Sequence, residues 1–327
     1  MGGEFGMTSS LSRRGLLGGA SLALLAPRAR AQSFPDRTIR LVVPFTPGGT
    51  NDLVGRLIAT RVGQTIGQPM VVDNRGGAGG EIGSVFVARA APDGYTLLTG
   101  STTTISINPL MNPQLSYNPE RDFRPLSWVG YVPLVLCVRN SLPVRNLQEL
   151  VVHMKATPTP LSFGSGGTGG PHFLAGERLR CSSGTEITHV PYRGGGAVHT
   201  DLVAGHLDGA FIELSVASPY IREGRMRAIG LAARERHTGF PDLPTLSEQG
   251  IPNFEITSWF GLYAPIATPD AIAKRLSDEI VGALRDPEVR SRLEAAGATV
   301  VGGDAAALAE HMVRERAKWS ELLNLRC

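Results

Sequence analysis

Residues 42–53 read VVPFTPGGTNDL: an apolar run breaks into a proline-bearing, double-glycine loop, and a helical pattern begins at once. Leu53 and Leu57 form one i,i+4 pair, Val54, Ile58, Val62 and Ile66 form the adjacent row, and Gly67 follows as a stop. This is strand, loop, helix. A helix start carries unpaired backbone N–H groups and about half a positive charge, and glycine lets an anion approach them closely. Pro47 stiffens the turn, Gly48 and Gly49 expose amides, Thr50-Asn51-Asp52 caps the helix, and Asp52 serves the helix rather than a solute.

The same device recurs. DNRGGAGGEIG, SFGSGGTGGPH and PYRGGG each follow an apolar run and precede a helix start. A single Gly-rich turn is only a tight connection, but four of them after strand-like runs point to a binding cleft, because open α/β sheets collect ligands beyond the carboxyl ends of their strands. Two of the loops lie in the first third of the chain and two between residues 160 and 200, which suggests two lobes facing one cleft. Further apolar runs, among them YTLLTG, PLVLCV, THVPY, DGAFI, RAIGLA and SWFGLYAP, alternate with helical patterns and predict an α/β architecture with mostly parallel sheets. Thr268-Pro269-Asp270 and Asp286-Pro287-Glu288 signal helix starts, and a last helix is expected from about Asp304 to Leu323.

At 327 residues the chain exceeds one comfortable core. Residues 1–31 are set apart: Ser12-Arg13-Arg14, a short apolar run and Ala29-Arg30-Ala31 read as a twin-arginine-like export signal, so a soluble periplasmic protein is expected. That segment holds four Arg and one Glu, so the whole-chain charge of +3 falls to 0 for the remainder. Nothing here argues for nucleic acid or an anionic membrane. Three cysteines, Cys137, Cys181 and Cys327, make no disulfide framework; a Cys137–Cys181 bridge is one reading, a buried Cys137 thiol the other.

The chemistry of the loops narrows the function. GSGGTG at 164–169 satisfies the dinucleotide fingerprint, so a nucleotide-cofactor oxidoreductase is an alternative, but the strand before it is short and Glu186 precedes the next strand instead of closing it. No G-x-S-x-G elbow occurs, and the seven histidines have no metal-ligand spacing. His172 stands in the first turn after a glycine loop, where it can meet a ligand oxygen. Arg75 and Arg193 stand only at the loop edges, which suits a small carboxylate held by amides and hydroxyls. Trp128, Trp259 and Phe260 could pack a ring ligand or belong to the core.

With these motifs in order, from FPDRTIRLVVPFTPGGTNDLVGRLIA through VVDNRGGAGGEIG, FGSGGTGGPHFLAGE and VPYRGGGAVHTDLVAGHLDGAF to PDLPTLSEQGIPNFEITSWFGLYAPIATP, the chain resembles the Bug-type extracytoplasmic receptors of the tripartite tricarboxylate transporter family. The resemblance spans Phe34 to about Leu323. It implies a type II periplasmic-binding-protein fold, two lobes joined by two crossover strands, with lobe 1 over 32–132 and 255–327 and lobe 2 over 133–254. It places the first ligand loop at Phe45, Thr46, Pro47, Gly48 and Gly49, and a second over 165–170, with Ser165, Gly167, Thr168, Gly169 and then His172. Ser101 and Thr102 fall where the family's third loop faces the cleft. The implied activity is capture of a small organic acid for membrane permease subunits or, alternatively, for a sensor kinase, by a monomer with no cofactor, metal or catalysis. Two departures touch specificity: Gly170 replaces a hydroxyl residue, and Glu213 follows the LDGAFI run, where it faces either a ligand or solvent. Facing the ligand, Glu213 would repel a dianion.

Overall fold

The computed structural model describes residues 1–4, 34–192 and 194–324; the export-signal reading, Arg193 and Cys327 lie outside the described residues. Ten strands are present among the described residues: β1 (Ile39–Val43), β2 (Met70–Asn74), β3 (Thr96–Ser101), β4 (Phe123–Val138), β5 (Leu161–Ser165), β6 (Ile187–Pro191), β7 (Gly209–Glu213), β8 (Arg227–Ala232), β9 (Thr257–Pro265) and β10 (Thr299–Gly303). Their order is β2-β1-β3-β9-β4-β7-β5-β6, with β8 and β10 both on β4.

Two parallel sheets form the lobe centres, β2-β1-β3 and β7-β5-β6, as short apolar runs alternating with helices require. The ladders made by β4 and β9 are antiparallel. Strand β4 changes partners within one stretch: Phe123–Pro133 pairs with β9, and Leu134–Val138 pairs with β7 on one side and β8 on the other. Pro133, which has no N–H to give a ladder, sits at the change. Beside it, Ile256 donates to Ala232 at 3.0 Å and accepts from Leu134 at 3.4 Å, so the chain crosses a second time at the entry to β9. These are the two crossovers of a two-lobed binding-protein fold.

Ten residues of β4 upstream of the PLVLCV run, and all of β10, lie outside the apolar runs read as strands from the sequence. Two register shifts, at Pro125/Ser127 and Trp128/Gly130, break the period of two that a strand would show. Gly130 is at φ 149, and a Cβ there would stand 2.1 Å from the Thr299 carbonyl oxygen, so only glycine lets β10 pair.

The helix Thr50–Ile66 ends at Gly67 in the left-handed conformation, φ 85, as its pattern predicts. Its N-cap is Gly49 with no side-chain cap, so the expected Thr50-Asn51-Asp52 capping is corrected: Asp52 instead reaches back to the Gly48 N–H at 3.1 Å. Helix Asp270–Arg285 starts after Pro269, one residue later than its signal suggests, and Asp286 caps the next by accepting from Glu288 and Val289. Cys137 is free and fully buried between β7 and β8, so the Cys137–Cys181 bridge does not form. Trp259 is likewise in the core at 0 % exposure, and Trp128 stacks on His311 at 4.0 Å.

Candidate functional site

Four strand ends meet between the lobes. β1 runs into the Phe45–Gly49 loop, β3 ends at Ser101 and tightens into a π-helical turn over Thr102–Ile107, β5 leads to the 166–170 loop, and β7 ends at Glu213. Crossover strand β9 adds Ser258 and Phe260. They line a cavity of ≈ 50 Å³, room for about three to five waters.

Of the residues expected at the site, Phe45, Thr46, Gly49, Ser101, Thr102, Gly167, Thr168, His172 and Glu213 line this cavity. Pro47, Gly48, Ser165 and Gly169 do not, and the loop geometry explains why. Gly48 is at φ 89, a left-handed turn that suits glycine, and its N–H is turned inward onto Asp52. The Ser165 hydroxyl is 2.6 Å from His189 Nε2 and donates to the Gly167 carbonyl at 2.9 Å, so it shapes its own loop. A Cβ on Gly169 would stand 2.9 Å from Met111 Sδ, which places that glycine against the opposite lobe.

Both lining hydroxyls at the end of β3 hold local structure. Thr102 Oγ1 accepts the Trp259 N–H at 2.8 Å and is spent on holding β9. Ser101 caps the π-helical turn, its hydroxyl over the Thr104 N–H, while Asn51 Oδ1 is buried without a hydrogen-bond partner; both residues line the cavity. Asn51 is a residue that sequence reasoning missed, because an Asn at a helix start reads as a cap. Gly79, Thr103, Gly195 and Ser258 also line the cavity. Gly79 and Gly195 could have been found from the loop recurrence; Ser258, inside a strand, carries no such signal.

Glu213 settles one open reading: it is 9 % exposed and faces the cavity, not solvent. Its Oε2 lies 2.7 Å from His172 Nε2, an ion-pair contact short of good hydrogen-bond alignment, and its Oε1 accepts from the Ser258 hydroxyl at 3.2 Å. Burial pushes the carboxyl up, but the charge and contact of His172, the backbone and Ser258 outweigh it and hold the group below the usual range. The cavity therefore contains an ionised carboxylate.

The Gly164–Gly169 segment is no dinucleotide loop. Gly164 is still inside β5, Gly166 packs against the main chain at Gly194 and Gly195, and the helix starts only at Pro171. Among the described residues no cluster of His, Cys, Asp or Glu could hold a metal, and no helix is long and apolar enough to cross a membrane.

Two lobes on two crossovers, closing glycine loops and hydroxyls on a small cavity, define a solute-binding protein of the periplasmic type. Residues 54–326 match the model of the tripartite tricarboxylate transporter family receptors, and the chain belongs to that family. A protein of Pseudomonas sp. strain P51, from the tcbD-tcbE intergenic region, is 37% identical over 319 residues, 96% of this chain and 95% of its own length. The solved structure of an R. palustris protein with adipate superposes at TM-score 0.86 with 34% identity, covering 88% of this chain and 97% of that one. MatC from Rhodopseudomonas palustris with bound malate superposes at 0.84, with 34% identity over 89% of this chain and 100% of that one.

Proposed function

We propose that this chain captures a small carboxylate-bearing metabolite in the periplasm and hands it to the membrane permease subunits of a tripartite transporter, breaking no bond in doing so. One observation carries the reading: glycine loops from both lobes, with hydroxyl residues and Asn51, line one small cavity. Adipate and malate in the two R. palustris relatives support the class of ligand. In this reading the carboxylate lies against the first-lobe residues Phe45, Thr46, Gly49 and Ser101, with Asn51 beside them. Gly167, Thr168, His172 and Glu213 face the rest of the molecule. The lobes divide where β4 and the entry to β9 change partners, close to residues 133 and 255, and hinge there.

The test is a thermal-shift panel of organic acids that includes malate and adipate. A true ligand at a hundred times its dissociation constant adds about 2.7 kcal/mol of stability. A panel in which no carboxylate moves the midpoint, while a neutral solute does, overturns the reading.

A further inference from the structure

The PYRGGG segment has an occupation other than touching a ligand. A Cβ on Gly194 would stand 2.4 Å from Thr46 Oγ1 and 3.4 Å from the Thr46 nitrogen. One on Gly196 would stand 2.8 Å from the Pro47 carbonyl oxygen. Both contacts run from the second lobe to the first-lobe loop, and neither glycine lines the cavity, although Gly195 between them does. Backbone handedness does not call for glycine here: Gly194 is extended at φ 164, ψ 165, and Gly196 lies within the helix Gly195–Ala204. In the same seam Thr50 Oγ1 and Ser215 Oγ are 2.6 Å apart and buried.

We propose that Gly194 and Gly196 set ligand affinity without contacting the ligand, as the bare main-chain surface on which the Thr46-Pro47 turn seats when the lobes shut. A side chain at either position is tolerated by its own backbone and obstructed only by the other lobe. Its cost therefore falls on the shut form alone. Apparent affinity scales with the fraction of molecules able to reach the binding form, so a wedge here weakens binding while the fold of each lobe is unchanged. The inference rests on the receptor reading for its consequence, but the closing contact can be measured with no ligand at all.

The experiment uses the Thr50/Ser215 approach as a reporter. Thr50→Cys with Ser215→Cys places two thiols where the hydroxyls now meet, so oxidised glutathione links them only in molecules whose lobes have shut; intact mass after timed exposure reads the extent. Adding Gly196→Val, or separately Gly194→Val, is expected to slow linkage by about tenfold or more, as a wedge that depletes the shut population by that factor demands. Gly282→Ala, on a helix of lobe 1 where an added Cβ meets nothing within 4 Å, is expected to link at the parent rate. Circular dichroism and the melting midpoint show which variants are folded, and the milder Gly194→Ala replaces any that is not. Folded wedge variants that link as fast as the parent overturn the proposal. In parallel, malate and adipate titrations of the chain without added cysteines separate the two ideas: slowed linkage with no acid bound by the parent removes the receptor reading and leaves the contact standing.

Discussion

The two halves of the cleft are built on different electrostatic plans. In the first lobe every charge beside the loop is consumed locally: Asp52 accepts from Gly48 N–H at 3.1 Å, from Arg56 Nε at 3.0 Å and from Asn74 Nδ2 at 3.0 Å, and Asn74 also holds the Phe45 carbonyl at 3.2 Å. The cavity sees neutral main chain and hydroxyls. In the second lobe the loop is shaped by neutral bonds from Ser165, while the Glu213 carboxylate, with the His172 ring against it, brings its charge into the cavity itself. In the proposed receptor, a rigid neutral half suits the group that all ligands share, and a charged, titratable half suits the part in which ligands differ. The mutations below attack each plan in turn.

The largest effect belongs to Glu213. Removing this buried acceptor leaves both the His172 ring and the Ser258 hydroxyl without a partner, so Glu213→Ala is expected to lower unfolding stability by about 3 kcal/mol, read by urea denaturation. Glu213→Gln keeps the shape and the Ser258 contact while deleting the charge; it is expected to raise affinity for diacids relative to monoacids by calorimetry. An unchanged ratio would show that Glu213 does not read ligand charge. The pH dependence follows with a definite sign. A carboxyl held lower in the folded chain contributes stability that is fully present above its unfolded value, about 4.3, and is lost as pH falls through the lower folded value. Melting midpoints should therefore drop on acidification below roughly pH 4.3, and the Gln variant should flatten that drop.

Asp52 comes next, because its charged partner Arg56 is half exposed and the pair is screened by solvent. Burial pushes its carboxyl up, but Arg56, the Gly48 N–H and Asn74 together hold it below the ordinary range, the same direction as Glu213. Asp52→Ala is expected to cost about 2 kcal/mol, as charge-assisted bonds do, and to weaken all carboxylates alike, since it loosens the half that reads their common group. A variant that changed preference among acids instead would erase the proposed division of labour.

The strand, loop, helix recurrence exposed both lobes and most of the cavity wall, because Gly-rich turns at strand ends have a local signature. What stayed hidden is what depends on long-range geometry. Asn51 has the composition of a cap but lines the cavity because Asp52 performs the loop-fixing; the first ten residues of β4 lost their alternation to two register shifts; and Ser258 became a site residue only when the chain crossed back beside Glu213. The glycines divide the same way. That Gly48 turns left-handed is a local property, whereas the need for Gly194 to be bare lies in Thr46, on the other side of the cleft.

Ser215 gives the smallest expected change. Its hydroxyl meets Thr50 across the seam, a contact that exists only while the lobes touch. Losing one neutral hydrogen bond is worth about 1 kcal/mol, close to fivefold in a dissociation constant. Ser215→Ala should therefore weaken whichever acid the thermal panel identifies by about that factor, through faster release in stopped-flow traces. The ligand-free unfolding midpoint should not move, because in a molecule whose lobes stand apart the two hydroxyls are solvated with or without each other. A variant that lowers that midpoint and leaves release untouched would mean that the seam belongs to the resting fold. The comparison of the two halves would then describe one rigid wall instead of two surfaces that meet on a ligand.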